Sequence, residues 1–121
     1  QLQVVAAMKG IASGAYLKQI EAYDGQVSGA SLNEEQKRCL SRLRRATDMY
    51  RKVYEAAASE GTTAERFEHH TRALTEILSS IIMGYLLLQD SLRDEKFLDS
   101  CKYFADEAVG QACGQLAVLE E

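Results

Sequence analysis

The stretch Leu74-Thr-Glu-Ile-Leu-Ser-Ser-Ile-Ile-Met-Gly-Tyr-Leu-Leu-Leu-Gln-Asp-Ser-Leu92 decides the fold of this chain. Its apolar residues recur at spacings of three and four, which places them on one broad stripe of an α-helix. Glu76 and the Ser79-Ser80 pair interrupt it, and the uncharged run is shorter than the ~20 residues that a membrane span requires. So apolar a helix in a soluble protein needs neighbours on several sides, which predicts a helical bundle and no membrane span. The stripe comprises Leu74, Ile77, Leu78, Ile81, Ile82, Tyr85, Leu88 and Leu92, with Met83, Leu86 and Leu87 on its flanks.

The composition is that of one folded domain. The chain has 121 residues, of which 46% are hydrophobic and 26% charged, so it is too apolar for disorder and long enough to bury a core. We therefore expect residues 1–121 to form a single helical domain. The 18 acidic residues outnumber the 14 basic ones, which argues against nucleic acid as the main partner. The basic cluster Lys37–Arg45 follows Glu34 and Glu35 closely, which favours a solvated helix face with ion pairs.

The cysteines indicate a reducing compartment. Cys101 and Cys113 fall on one predicted helix and would lie ~18 Å apart, too far for a disulfide. These two and Cys39 have apolar or small neighbours, so we interpret all three as small core residues. The first residues, Gln-Leu-Gln, lack the charged segment of a signal peptide, and the expected location is the cytoplasm.

The first half of the chain predicts two helices. Helix one is expected from about Leu2 to Tyr23, ending at Asp24-Gly25, with residues 26–30 as a loop. Ser31-Leu-Asn-Glu34 matches a capping box, in which the serine and glutamate side chains each satisfy a backbone amide at the start of a helix. Helix two then continues to about Ser59, with an inward face of Leu40, Leu43, Thr47, Tyr50 and Tyr54.

The second half predicts two more helices. Gly61 ends helix two, and the capping-box pattern Thr62-Thr-Ala-Glu65 opens helix three, which reaches about Leu92. A single helix from residue 63 to 120 would be ~85 Å long without a partner for its second half. We therefore expect a break, with Asp94 capping helix four. Short connections make consecutive helices antiparallel, and the predicted fold is an all-α, up-down-up-down four-helix bundle. Helix four turns Phe97, Cys101, Phe104, Ala108, Ala112 and Leu116 inward.

Three kinds of reactive site find little support in the residues. A di-metal site of the ferritin type needs Glu-x-x-His on two helices, but this chain has only the adjacent His69 and His70. A histidine-phosphotransfer domain would have this length and fold, yet no lysine and glycine follow those histidines closely. Neither a Gly-x-Ser-x-Gly elbow nor a glycine-rich phosphate loop occurs. We expect no catalytic, metal or cofactor-binding residue in this chain.

Two glycine pairs, Gly10/Gly14 and Gly110/Gly114, lie inside predicted helices at a spacing of four. Each interior glycine costs about 1 kcal/mol relative to alanine, so both pairs require an explanation. We expect helices one and four to approach closely at these pairs. The alternative is that one pair faces outward and accepts a partner subunit or another domain. In either case the four glycines are candidates for helix packing or for an interface.

The stretch from His70 to Leu92, followed by a helix with Phe97, Tyr103, Phe104 and small residues, resembles the helical C-terminal extension of bacterial acyl-CoA dehydrogenases. That module typically carries a glycine-aromatic pair in its penultimate long helix, matched here by Gly84-Tyr85. The tryptophan usual in this segment is absent, and Tyr85 stands in its place. The family's catalytic glutamate and its FAD contacts lie in a core that these residues do not include.

The resemblance implies a non-catalytic helical module of an FAD-dependent enzyme that oxidises the CH–CH bond of an acyl-CoA. Gly84 and Tyr85 then join the glycine pairs as packing candidates. The partners would be the catalytic core of the parent chain or a second copy in a homo-oligomer. The chain opens without an initiator methionine and closes without a helix cap, which favours a fragment. The alternatives are a free-standing adaptor protein and, less favoured, a phosphotransfer domain using His69 or His70.

Overall fold

The computed structural model describes residues 14–59 and 64–119, and within these ranges the chain contains helices and no strand. Four α-helices follow one another: α1 (Ala15–Ser28), α2 (Glu34–Ser59), α3 (Ala64–Ser91) and α4 (Leu98–Leu119). A short 3-10 helix, Glu95–Phe97, precedes α4. The predicted all-α class and the four-helix bundle are confirmed.

Helix α3 is the centre of the bundle and packs against α1, α2 and α4. Its predicted stripe supplies much of the core, and Ile77, Ile81 and Leu88 are completely buried. Each such side chain contributes about 1.5–3 kcal/mol through removal of its apolar surface from water. On α4 the inward face consists of small residues, which lets this helix lie close to α2 and α3. These small residues are Cys101, Ala105, Ala108 and Ala112.

Side-chain contacts fix the relative directions of the helices. Ser80 near the middle of α3 donates to Gln111 late in α4, whereas Cys101 early in α4 donates to the Gly84 carbonyl, so α3 and α4 are antiparallel. Gln36 at the start of α2 donates to Ser91 at the end of α3, which makes that pair antiparallel too. These contacts support the up-down-up-down order, which stays a prediction for the chain as a whole.

Helix α1 differs from the predicted helix one at its end. It continues through Asp24 and Gly25 to Ser28, so the loop expected at residues 26–30 is wrong for residues 26–28 and begins only at Gly29. Val27, in the middle of that expected loop, is completely buried. Burial of Val27 and the long-range contacts of Asp24 outweigh the helix-breaking tendency of Gly25. The predicted part from residue 2 to 13 lies outside the described residues.

The capping box that opens α2 lies two residues later than predicted. Asn33 Oδ1 accepts from the Gln36 amide at 2.8 Å, and Gln36 Oε1 accepts from the Asn33 amide at 2.9 Å. This is the reciprocal pattern of a capping box, with asparagine and glutamine in the two roles expected for Ser31 and Glu34. Gln36 takes the role expected for Glu34 because it is buried and its side-chain amide nitrogen also donates to Ser91. Helix α2 is described as far as Ser59, the residue near which the sequence predicts its end.

The break between helices three and four is confirmed. Helix α3 ends at Ser91, and Asp94 adopts an extended conformation and accepts from the Lys96 amide at 3.1 Å. The chain therefore reverses within a few residues and returns along α3 as α4. The capping box expected at Thr62–Glu65 falls largely on undescribed residues, as does Gly61, and the described part of α3 begins at Ala64.

The segment His70–Ser91 is long and apolar enough to cross a membrane when judged by length and composition alone. The sequence expectation that this run is too short for a span is therefore not supported by that measure. Half of its most apolar window is buried inside the protein, as in the core helix of a bundle. Burial against the other helices, and not length, explains its composition.

Candidate functional site

Gly84 lies at a close contact between α2 and α3. A β-carbon added at this glycine would lie 2.5 Å from Leu43 Cδ2, well inside van der Waals contact. Leu43 is itself completely buried, so it has little space into which to move. The Leu43 side chain of α2 thus packs directly against the backbone of α3 at Gly84. The Gly84 carbonyl oxygen accepts from the Cys101 thiol of α4 at 3.3 Å.

Tyr85, the next residue, connects the core to a polar cluster between three helices. Its ring is 1% exposed, and its hydroxyl donates to Asp24 Oδ2 on α1 at 2.7 Å. Arg44 on α2 donates to the same carboxylate through Nε to Oδ2 at 2.9 Å and through Nη2 to Oδ1 at 3.0 Å. Ser28 donates to Oδ1 at 3.2 Å. We call Asp24, Ser28, Arg44 and Tyr85 the Asp24 cluster.

Electrostatics hold the Asp24 cluster in one protonation state at neutral pH. The hydrogen bond from Arg44 lowers the pKa of Asp24, and the hydrogen bonds from Tyr85 and Ser28 add to this against the opposing effect of burial. Burial, with the Asp24 contact, raises the pKa of Tyr85 above its usual value. An ionised carboxylate with a lowered pKa and three donors is a weak general base. The cluster, which borders a cleft of about 270 Å³, is built to join helices and not to transfer protons.

The outer face of α4 has a different character. Gly110 and Gly114 are exposed, and a β-carbon added at either would meet no described atom within 4 Å. Cys113 and Ala117 lie beside them in the open, and Tyr103 and Val118 are exposed to 58% and 59%. We call these six residues the α4 outer face. Its glycines and small side chains leave room for the backbone of a partner to approach α4 closely.

The expected close approach of helices one and four at the glycine pairs is wrong for the described residues. Within these ranges α1 packs mainly on α3, and α4 packs on α2 and α3. Gly14 has φ +73° and is the N-cap residue that precedes α1, so it does not lie inside that helix. Gly10 lies outside the described residues. The outward alternative is the one that the surroundings of Gly110 and Gly114 favour.

A family model described as "Acyl-CoA dehydrogenase C terminal" matches residues 12–120. The chain belongs to this family. The resemblance drawn from Gly84-Tyr85 and the surrounding helices is thereby confirmed. Neither a curated protein nor a solved structure matches the sequence.

In this acyl-CoA dehydrogenase C-terminal domain, the described residues offer no built flavin site. One cleft, of about 380 Å³, lies between the start of α2 and the α3–α4 turn. It has no glycine-rich turn to hold a phosphate, and its cation Arg93 already pairs with Asp90 at 3.0 Å. We therefore assign no FAD contact to this domain and derive no chemistry through the cofactor.

The domain's histidines lie in α3, where His70 is only 9% exposed. Among the described residues no group of three or more metal-ligating side chains occurs. The contacts of the Asp24 cluster were missed by sequence reasoning because Asp24-Gly25 also matches a helix end. Nothing in the sequence around Arg44 or Tyr85 indicates that both side chains contact Asp24 in the folded protein.

Proposed function

We propose that this domain is a non-catalytic helical module of an acyl-CoA dehydrogenase-like FAD enzyme, in which it packs against the catalytic core or a sister subunit. The parent enzyme would oxidise the CH–CH bond of an acyl-CoA, with its flavin and its catalytic base in the core. The observation that carries this proposal is the family match over residues 12–120. The cytoplasm, as the location of the parent enzyme, belongs to the same proposal.

The chemistry of the domain supports a packing role. The Asp24 cluster has its charges paired internally: Arg44 is bidentate to Asp24, and the Tyr85 hydroxyl donates to the same carboxylate. A catalytic carboxylate needs a pKa near the working pH, and that of Asp24 is displaced in the opposite direction. Such a cluster stabilises a three-helix junction without leaving a reactive group for a substrate.

The α4 outer face is the surface that we propose for the partner. Gly110 and Gly114 occupy one helix side with no covering described atom, and the aromatic ring of Tyr103 stands beside that side one to two turns earlier. Exposed aromatic residues are enriched at protein interfaces, and small residues let two backbones approach closely. A helix of the core or of a second copy, lying along α4, would cover both.

The test is the substitution Gly110→Leu in the full-length protein, with Gly25→Leu as the matched control. Both glycines are exposed positions inside helices, with open space around the β-carbon position. Both substitutions should therefore raise helix propensity equally. If α4 meets a partner, only Gly110→Leu weakens association, because leucine fills the approach. Analytical ultracentrifugation gives the oligomeric state, and hydrogen exchange of α4 with and without the core gives the domain contact.

Unchanged association and unchanged exchange in Gly110→Leu would overturn the assignment of this surface. The free-standing adaptor remains the second candidate function, and the gene separates the two. A reading frame that joins this domain to a dehydrogenase-like core supports the first, and a frame limited to a helical protein supports the second. The phosphotransfer alternative is disfavoured because His70, one of its two candidate histidines, is buried.

A further inference from the structure

Two of the three cysteines meet in the core between α2 and α4. Cys39 on α2 is 2% exposed, and Cys101 on α4 is completely buried. Two ion pairs flank the cysteines, Lys102–Glu35 at 3.3 Å and Arg42–Asp106, so both side chains lie at the same level of the α2–α4 contact. The Cys101 thiol donates to the Gly84 carbonyl oxygen at 3.3 Å. The sequence interpretation of three core cysteines is confirmed for Cys39 and Cys101, which form a dithiol pair across two helices, and is wrong for Cys113, which is exposed.

Cys39 also borders a cleft that opens to solvent. The cleft measures about 210 Å³, and its other walls are Glu35, Arg38, Arg42 and Lys102. Lys102 bridges Glu35 at 3.3 Å, and Arg42 bridges Asp106. The charges of Lys102 and Arg42 favour the thiolate form of Cys39, and the Asp106 carboxylate opposes them.

The two thiols of the pair are not equivalent. The neighbouring Cys101 thiol lowers the pKa of Cys39, Lys102 and Arg42 add to this, and burial and Asp106 oppose it. The same contact, together with burial, raises the pKa of Cys101. The thiolate of the pair therefore resides on Cys39, which is the sulfur at the cleft, and Cys101 keeps its proton.

We propose that Cys39 and Cys101 are a redox pair that closes a disulfide between α2 and α4 when the protein meets a hydroperoxide. The Cys39 thiolate attacks one peroxide oxygen, the O–O bond breaks, and the other oxygen leaves as an alcohol or water after taking a proton. Cys39 is then a sulfenic acid. Cys101 attacks its sulfur, the S–O bond breaks, and the Cys101 proton leaves with the oxygen as water. Two thiols lose two electrons in all, and the hydroperoxide gains them.

Cys113 provides a control within the same chain. It lies on the exposed side of α4, away from the cleft that Cys39 borders. Simple exposure would make Cys113 react first, since Cys39 and Cys101 are buried. The proposal predicts the opposite order, because it depends on thiolate character and on a second sulfur in contact.

The experiment uses hydrogen peroxide on the full chain, followed by alkylation and peptide mass spectrometry without reduction. We expect an intramolecular link between the peptides of Cys39 and Cys101 in the wild type and in Cys113→Ser. Cys101→Ser should stop at a sulfenic acid on Cys39, trapped by dimedone, and Cys39→Ser should form no intramolecular link. The loss of the Cys39 thiol should be about tenfold faster than the loss of the Cys113 thiol.

Oxidation of Cys113 alone, or dimers linked through Cys113 with Cys39 and Cys101 still reduced, would overturn the proposal. A repeat in denaturant should remove the difference in rate, since the contact and the cleft exist only in the folded chain. The wild-type link does not depend on any variant folding. Circular dichroism shows whether Cys101→Ser keeps its helices, and Cys101→Ala replaces it if it does not.

Discussion

Helices α1 and α4 flank the same central helix but are held to it by different forces. Helix α4 contributes a row of small, completely buried residues, among them Cys101, Ala105 and Ala108, so it lies flush against α2 and α3. Helix α1 is shorter, and its fully buried side chains in the described range are Ile20 and Val27. The Asp24 cluster attaches α1 further to α2 and α3. Apolar packing is insensitive to charge, whereas a clamp built on one carboxylate depends on the protonation of a single group.

The largest expected effect tests the apolar side of this comparison. Ile81→Ala removes a completely buried side chain from the centre of α3 and should lower the free energy of unfolding by about 2–5 kcal/mol through lost burial and a cavity. Met83→Ala, two residues along and 41% exposed, is the control and should change stability by about 0.5 kcal/mol. Urea unfolding followed by circular dichroism measures both. Equal losses would show that α3 is not buried as described.

A smaller effect should follow from breaking the Asp24 cluster. Asp24→Asn removes the charge that Arg44 and Tyr85 share and should destabilise the protein by about 1–3 kcal/mol. Glu21→Gln breaks the neighbouring contact with Arg51, which is 3.5 Å long and exposed, and should change stability by less than about 1 kcal/mol. Hydrogen exchange should rise in α1 far more than in α4. A uniform rise would mean that α1 is not separately held.

The pH dependence of stability in the same variant, Asp24→Asn, also tests the Asp24 cluster. The folded-state pKa of Asp24 is lowered from its ordinary value of 3.8, so its stabilising contribution is fully present above that value and is lost as the pH falls through the folded-state pKa. Asp24→Asn should therefore flatten the acid limb of the stability curve below pH 3.8. An unchanged acid limb would place the acid sensitivity on other carboxylates.

The smallest effect concerns the capping box at the start of α2. Asn33→Ala removes the acceptor for the Gln36 amide and should cost about 1 kcal/mol. Ser31→Ala, the position that the sequence pattern favours, should change stability by less than about 0.5 kcal/mol. Thermal unfolding of the two variants distinguishes the two positions. A larger loss at Ser31 would restore the box expected from the sequence.

The sequence predicted well what depends on local pattern. The stripe from Leu74 to Leu88 and the break before Asp94 follow from periodicity and helix length, and both are present. The end of α1 could not be predicted in the same way, because Gly25 argues locally for a stop and only contacts with α2 and α3 argue against it. Long-range contacts leave no periodic trace.

The candidate surfaces show the same division. A spacing of four marked Gly110 and Gly114, but spacing alone does not say which side of α4 faces water. Gly84 carries no partner in its own sequence neighbourhood, yet Leu43, on a different helix, fills the space that its missing β-carbon leaves. The dithiol pair escaped notice because Cys39 and Cys101 lie on helices whose relative register is set by the core.

The central position of α3 also explains why its composition resembles that of a bilayer segment. Lipid tails and the apolar side chains of neighbouring helices are similar surroundings for such a stripe. Helices α1, α2 and α4 together surround α3 in this way, but unlike lipid they also bond its polar side chains, as Gln111 does when it accepts from Ser80. Arg72, Glu76 and Ser79 are exposed on successive turns. Among the described residues, that polar strip marks a side of α3 that the other helices do not cover.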